Sequence, residues 1–231
     1  MYYDLHIHSC LSPCADDDMT IHNILNMCML KELELISITD HNSMKQYRYL
    51  KEVAKQYAFQ LIYGVEVQTM EDVHVCCYFK EEMQMDAFQI LLDIWNPGIP
   101  NQKEYFGKQI LLNAQDEIDA EEERLLVVPL QITLQELCTI VHSLQGAFVL
   151  AHALGRSNSI CTQLGFIPKE LAFDGIEVRS AEEKKQLQIK HPWITDTVWL
   201  INSDAHRLVD IQERTQQIAK DKFEQLWRNN V

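Results

Sequence analysis

The chain has 231 residues, 47% of them hydrophobic, which is enough to bury a substantial core and excludes disordered, collagenous and disulfide-knot classes. Lys and Arg total 20 against 34 Asp and Glu, a formal charge of −14, so a broad basic surface tracking phosphates is not expected, nor is a long nucleic acid partner. The 7 cysteines are an odd number, the opening MYYDLHIHSC has no basic or apolar signal region, and no apolar run reaches the ~18 residues of a membrane span; together these predict a soluble, cytoplasmic protein with no membrane partner.

In chain order, β-rich runs occupy residues 2–7, 35–39, 60–67, 73–79, 147–151, 175–178 and 198–202. Helical patterns with apolar residues near i, i+3 and i+4 fall between and after them, at 21–32, 44–58, 84–94, 134–144, 181–189 and 209–227. Such alternation predicts a parallel sheet with helices outside it, and periodicity alone does not separate a closed or distorted barrel from an open sheet. Residues 96–128 break the pattern with Asn-Pro-Gly, a polar turn around 114–117 and the acidic run 121–123, and read as an insertion containing a β-hairpin. No linker interrupts the chain, so residues 1–231 are expected to form a single domain.

The chemistry lies at the strand ends. His6 and His8 share a strand face at i and i+2, where two imidazoles can grip one cation, and Asp204 with His206 repeats the spacing near the last strand. Nitrogen and oxygen ligands of this kind suit Zn, Mn or Fe. His41, Glu66, His74 and His152 each lie at or beside another strand end. In a parallel barrel those ends collect on one face, and six structural histidines there would each need partners for two ring nitrogens. Asp40, beside His41, reads as an acceptor that orients an imidazole. Arg156, Arg179 and Arg207 follow strand ends and are candidates to hold phosphate oxygens. Cys10 and Cys14 read as packing residues rather than a thiolate zinc site, as do Cys76 and Cys77. His22, His142 and His191 read as surface or capping groups.

Six segments, DLHIHSCLSPC, ITDHN, GVEV, VHV, AHALGR and NSDAH, follow one another between Asp4 and His206. They resemble the successive motifs of the PHP (polymerase and histidinol phosphatase) superfamily. The resemblance implies a distorted seven-stranded (β/α) barrel of the TIM-like type and two or three divalent ions, Zn, Mn or Fe, used to hydrolyse phosphate esters. Matched motif by motif, it implies metal ligands at His6, His8, His41, Glu66, His74, His152, Asp204 and His206, with Asp16 as the ninth and Asp17 as its competitor. Arg156 stands near a family arginine, and His206 or His41 is a candidate to protonate the leaving oxygen. The expected activity is hydrolysis of a small phosphorylated substrate, a monoester or nucleotide, by a metal-activated hydroxide. A histidinol-phosphatase-type enzyme and a noncatalytic metal-stabilised module are the alternatives. Tyr105, Phe106, Lys103 and Lys108 in the insertion hint at a nucleotide.

Overall fold

The computed structural model describes residues 1–228. It begins with β1 (Tyr3–Ile7), α1 (Ile21–Leu30), β2 (Leu35–Ile38), α2 (Tyr47–Ala54), β3 (Gln60–Gln68), β4 (His74–Phe79) and α3 (Glu82–Trp95). The insertion then supplies α4 (Lys103–Phe106), β5 (Ile110–Leu112) and β6 (Ile118–Glu121). After it come α5 (Leu134–Ser143), β7 (Ala147–Leu150), α6 (Ile160–Gln163), β8 (Gly175–Glu177), α7 (Ala181–Lys190), β9 (Val198–Leu200) and α8 (Lys220–Glu224).

Seven strands form one sheet in the order β1-β2-β3-β4-β7-β8-β9. Its two edges meet just beyond β9: Ile7 bridges Ala205 in parallel, the His8 N–H donates to the Ala205 carbonyl at 2.9 Å, and the Ala205 N–H donates to the His6 carbonyl. The sheet is therefore a distorted TIM-like barrel closed by a short seam. One expectation needs correction, because the sheet is not all parallel: β4 runs antiparallel to both β3 and β7. Only the short turn 69–73 separates β3 from β4, too few residues for the crossover that parallel pairing requires. Reversal places the first residue of β4, His74, at the rim where the other strands deliver their last.

Two apolar clusters flank the sheet. The larger receives helix faces such as Ile21, Ile24, Leu25 and Cys28 of α1, spaced i, i+3, i+4 and i+7. The smaller gathers Leu5, Leu35, Ile62, Cys76, Tyr78 and Val149 with Phe223 and Leu226. Among the described residues it takes nothing from α1–α7, so it is the barrel interior, stoppered by the C-terminal segment. A register shift between Asp4 and Ile7 breaks the alternation of β1. As a result Leu5 joins the interior while its neighbour His6 also meets interior Cys76, at 3.5 Å.

The helix expected over 209–227 is absent. That stretch holds a 3-10 turn at Leu208–Asp210, α8, and a second 3-10 turn at Gln225–Trp227. Tertiary bonds override the local pattern: the Gln212 N–H donates to buried Asp4, Lys31 bonds the Ile211 carbonyl, and Gln217 bridges Tyr2. The insertion does contain the hairpin, β5 paired antiparallel with β6. It is pressed onto the loop after β1: Gly107, at φ 101°, packs so closely that a Cβ would lie 2.1 Å from the Pro13 carbonyl oxygen. The Ile110 N–H also donates to the Cys10 carbonyl, at 2.9 Å. No helix among the described residues is long and apolar enough to cross a membrane.

Candidate metal centre

Glu66, near the end of β3, sits at the middle of the cluster. Its Oε1 lies 2.9 Å from His74 Nδ1 and 2.9 Å from His152 Nε2. Its Oε2 lies 3.1 Å from His41 Nδ1 and 3.4 Å from Nε2 of both His6 and His8. Asp204 Oδ1 is 3.3 Å from the same two Nε2 atoms. His206 completes the group, its ring stacked on His8 with centroids 4.3 Å apart.

The imidazoles are aimed from behind. Ser12 Oγ donates to Asp40 Oδ1 at 2.7 Å, so the contact from His8 Nδ1 at 3.1 Å is donated by the ring, and the His8 Nε2 lone pair faces the cluster. His206 Nδ1 donates to the Asp204 carbonyl at 2.9 Å, which frees its Nε2 likewise. His6 Nδ1 donates to Glu177 at 3.0 Å. The buried His6 Nε2, His8 Nε2 and His41 Nδ1 have no hydrogen-bond partner in acceptable geometry. Ring nitrogens buried without partners are costly unless a cation receives them. His6, His8, Glu66 and Asp204 offer ligand atoms within 4.8 Å of one another, as do His41, Glu66 and His74, and also His8, His41 and His206. This donor set of imidazole and carboxylate fits divalent Zn, Mn or Fe.

Electrostatics show the carboxylates calling for positive charge: against burial, Asp204 and Glu66 raise His8 to about 9, and Cys76, Glu177 and Glu66 raise His6 above its ordinary value. Burial pushes the Glu66 carboxyl up, but His74 and His6 outweigh it and hold it well below the usual range. Asp204 is lowered in the same way by His6 and His8. Burial takes His206 down to about 4 and His41 well below its ordinary value, leaving both rings neutral and able to donate a lone pair. His152 and Asp204 adopt positive φ, 26° and 52°, backbone strain of the kind held at functional sites.

An open cavity of about 440 Å³ reaches the cluster through His41, Glu66, His74 and His152, and Tyr105 and Phe106 of the insertion form part of its wall. A second cavity, of about 530 Å³, reaches the same centre from the side of Arg179 and Gln212. Arg156 lines both and contacts Asp204 Oδ2 at 3.2 Å.

Several residues stand elsewhere than expected. Asp16 and Asp17 are exposed on the loop after β1; Asp17 pairs with Lys108, and Asp16 joins none of the ligand groups. The loop presents Cys14 to the cavity instead. Asp40 touches no imidazole; it binds the Ser9 N–H and hydroxyl and acts on His8 through Ser12. Lys103 pairs with Glu121, so neither insertion lysine lines the cavity. Arg179 pairs with Glu183 and Arg207 with Asp210. Cys76 is not packing alone, since its Sγ meets His6 Nδ1. His142 forms a partly buried pair with Asp174 at 2.9 Å, and His191 is buried. Glu177, Ser12 and Asn202 are the supporting residues that reading the sequence missed. A lone acid inside the apolar run GIEV was the available signal for Glu177.

A family model described as "PHP domain" matches residues 4–163. Among curated proteins, the chain is 24% identical over 132 residues to a PolC-type DNA polymerase III of Ureaplasma parvum, covering 55% of this chain but only 9% of the polymerase. Among solved structures, it shares its fold with the lesion-specific endonuclease PfuEndoQ of Pyrococcus furiosus (TM-score 0.60, 20% identity, 89% of this chain and 48% of that one). It also shares it with a Bifidobacterium adolescentis protein described as a metal-dependent phosphoesterase (TM-score 0.64, 13% identity, 99% and 96%). The exclusion of long nucleic acid is overturned by these findings, because the endonuclease is also solved with a 27-mer duplex carrying an abasic lesion at its active site. Net charge is a whole-surface quantity, whereas cations in a site set the local field that a phosphate meets.

Proposed function

The chain belongs to the PHP domain family, whose members are generally hydrolases of phosphoester bonds, and on that premise we propose that it is a metal-dependent phosphoesterase. The observation that carries the reading is the convergence of six imidazoles, Glu66 and Asp204 on an open cavity, with buried ring nitrogens that lack hydrogen-bond partners. His6, His8, His41, Glu66, His74, His152, Asp204 and His206 would hold two or three divalent ions of the Zn, Mn or Fe class. When bound, such ions supply Lewis acidity and lower the pKa of water toward neutrality. Arg156, at the waist between the cavities, binds the non-bridging phosphate oxygens in fork geometry. His206 lines the cavity with Nδ1 bonded to the Asp204 carbonyl, so it serves the centre as a ligand rather than as the proton donor. Tyr105 is 85% exposed and Phe106 40% exposed on the cavity wall, a stacking surface that favours a nucleotide-type ester, free or within a nucleic acid, over an amino-alcohol phosphate.

The test is a hydrolysis screen of the purified chain with Mn²⁺ or Zn²⁺, using nucleoside monophosphates, histidinol phosphate, single-stranded oligonucleotides and an abasic duplex. Chelator-sensitive cleavage of a nucleotide or nucleic acid, lost in the His8→Asn, Asp204→Asn double variant, is the expected result. Bound metal without cleavage of any ester would sink the catalytic reading in favour of a metal-stabilised module.

A further inference from the structure

We infer that Glu177 is a positioning residue, which selects the tautomer of His6 and so aims that ring at the metal centre. The inference rests on the proposed function only in requiring that cations bind the cluster. Glu177 ends β8 and is 2% exposed, and every hydrogen bond its carboxylate makes comes from a different element. The backbone N–H of His152, after β7, donates to Oε1 at 3.1 Å. The Asn202 amide, after β9, donates to Oε2 at 2.8 Å. Asn202 is itself fixed, since its Oδ1 accepts from the Leu5 N–H of β1 at 3.0 Å. Two donors thus hold the carboxylate in place, and its remaining capacity on Oε2 receives His6 Nδ1 at 3.0 Å.

A carboxylate accepts and does not donate, so His6 must carry its proton on Nδ1. The lone pair then lies on Nε2, at the far edge of the ring, where Glu66 and Asp204 are 3.4 Å and 3.3 Å away and no hydrogen bond is made. Cys76 contacts the same Nδ1 at 3.5 Å, but sulfur is a weak acceptor and does not replace the carboxylate. Without Glu177 the ring is free to flip or to change tautomer, and either change removes a ligand from the centre.

The experiment is Mn²⁺ binding to the full chain, measured by calorimetry and by the electron paramagnetic resonance of free Mn²⁺, for the wild type and Glu177→Gln. The expected result is that one class of site weakens about 10- to 100-fold while the others hold. The visible spectrum of the Co²⁺-loaded protein should change with it. Thermal melting in chelator should fall by only a few degrees and stay cooperative, because shape and volume are kept and a single buried donor loses its acceptor. In a His6→Asn background, Glu177→Gln should add less than about twofold, since the residue acts through His6. Should Glu177→Gln not fold, Asn202→Ser, which removes one of the donors aiming the carboxylate, should weaken the same class of site by a smaller factor. Unchanged Mn²⁺ binding in the folded variants overturns the inference alone. Equal weakening of all sites together with a collapsed melting temperature also overturns it, by showing a merely structural role. A wild type that binds no Mn²⁺, Zn²⁺ or Co²⁺ overturns both the inference and the phosphoesterase reading.

Discussion

Asp40 supports the candidate centre without touching it, and its replacement separates scaffold from ligand. The carboxylate is 2% exposed and accepts from the Ser9 N–H at 2.7 Å, the Ser9 hydroxyl at 2.6 Å and the Ser12 hydroxyl at 2.7 Å. Hydrogen bonds to a charged group contribute about 1.5–3 kcal/mol each, but the three share one acceptor and are not additive. Burial also opposes the charge, pushing the Asp40 carboxyl up against the pull of His8 and the serines. Desolvation offsets part of what those bonds contribute, so Asp40→Ala should cost about 2–4 kcal/mol, chiefly from the neutral donors it leaves buried without an acceptor. For a chain of this length that is a fall of roughly 4–16 °C in Tm. Ser12 would lose its anchor, and with it the set of His8 and His41, whose backbone N–H donates to the same hydroxyl at 3.1 Å. Mn²⁺ affinity should drop about 10- to 100-fold. Ser12→Ala provides the contrast: it leaves both Ser9 bonds to Asp40, so it should cost about 1–2 kcal/mol yet weaken Mn²⁺ binding as much. Thermal melts in chelator and Mn²⁺ titrations read the two effects separately. A Tm within 2 °C of the wild type for Asp40→Ala, or full metal affinity in Ser12→Ala, would refute the reasoning.

Arg156→Ala should reduce kcat/KM for the cleaved ester by roughly 10²-fold, about 2.7 kcal/mol, with little change in melting because the side chain is 44% exposed; Arg156→Lys should recover only part of the loss. Steady-state kinetics check this, and a change under twofold would remove Arg156 from the substrate site. His142 is raised to about 10, first by its bond to Asp174. Since its unfolded value is about 6.5, the pair stabilises fully below that pH, and the contribution fades as pH rises through 10. His142→Gln should cost about 1–2 kcal/mol at pH 6 and 7, after allowing for its partial exposure, and little above pH 10.5. Urea melts of both proteins across that range give the difference, and a gap constant with pH would contradict the assignment.

The rim was largely legible in the chain because its residue types are rare inside apolar runs. HIH, DHN, VEV and DAH each set a polar side chain against a strand end, and the structure brings eight of the nine expected ligands together. Supporting residues were harder to read. Ser12 and Asn202 are ordinary loop residues whose role appears only when distant elements meet, as in the bond between Leu5 and Asn202, 197 residues apart. The reversal of β4 was legible but overlooked: side-chain alternation is identical in parallel and antiparallel strands, yet the five residues between the runs 60–67 and 73–79 are too few for a crossover. Asp16 was the hardest expectation to place: its segment has three consecutive aspartates, all exposed, and nothing local shows that the loop turns Cys14 toward the cavity instead.

The seam where Ile7 meets Ala205 gives the barrel a clasp. It joins the first strand to the chain just after the last by only a few main-chain bonds, and His6, His8, Asp204 and His206 stand on either side of it. A cation shared across those side chains would fasten the hoop at this seam, linking parts of the chain that are nearly its whole length apart. Loading the site and locking the shell would then be one event, and a chelator would loosen the molecule first along this line.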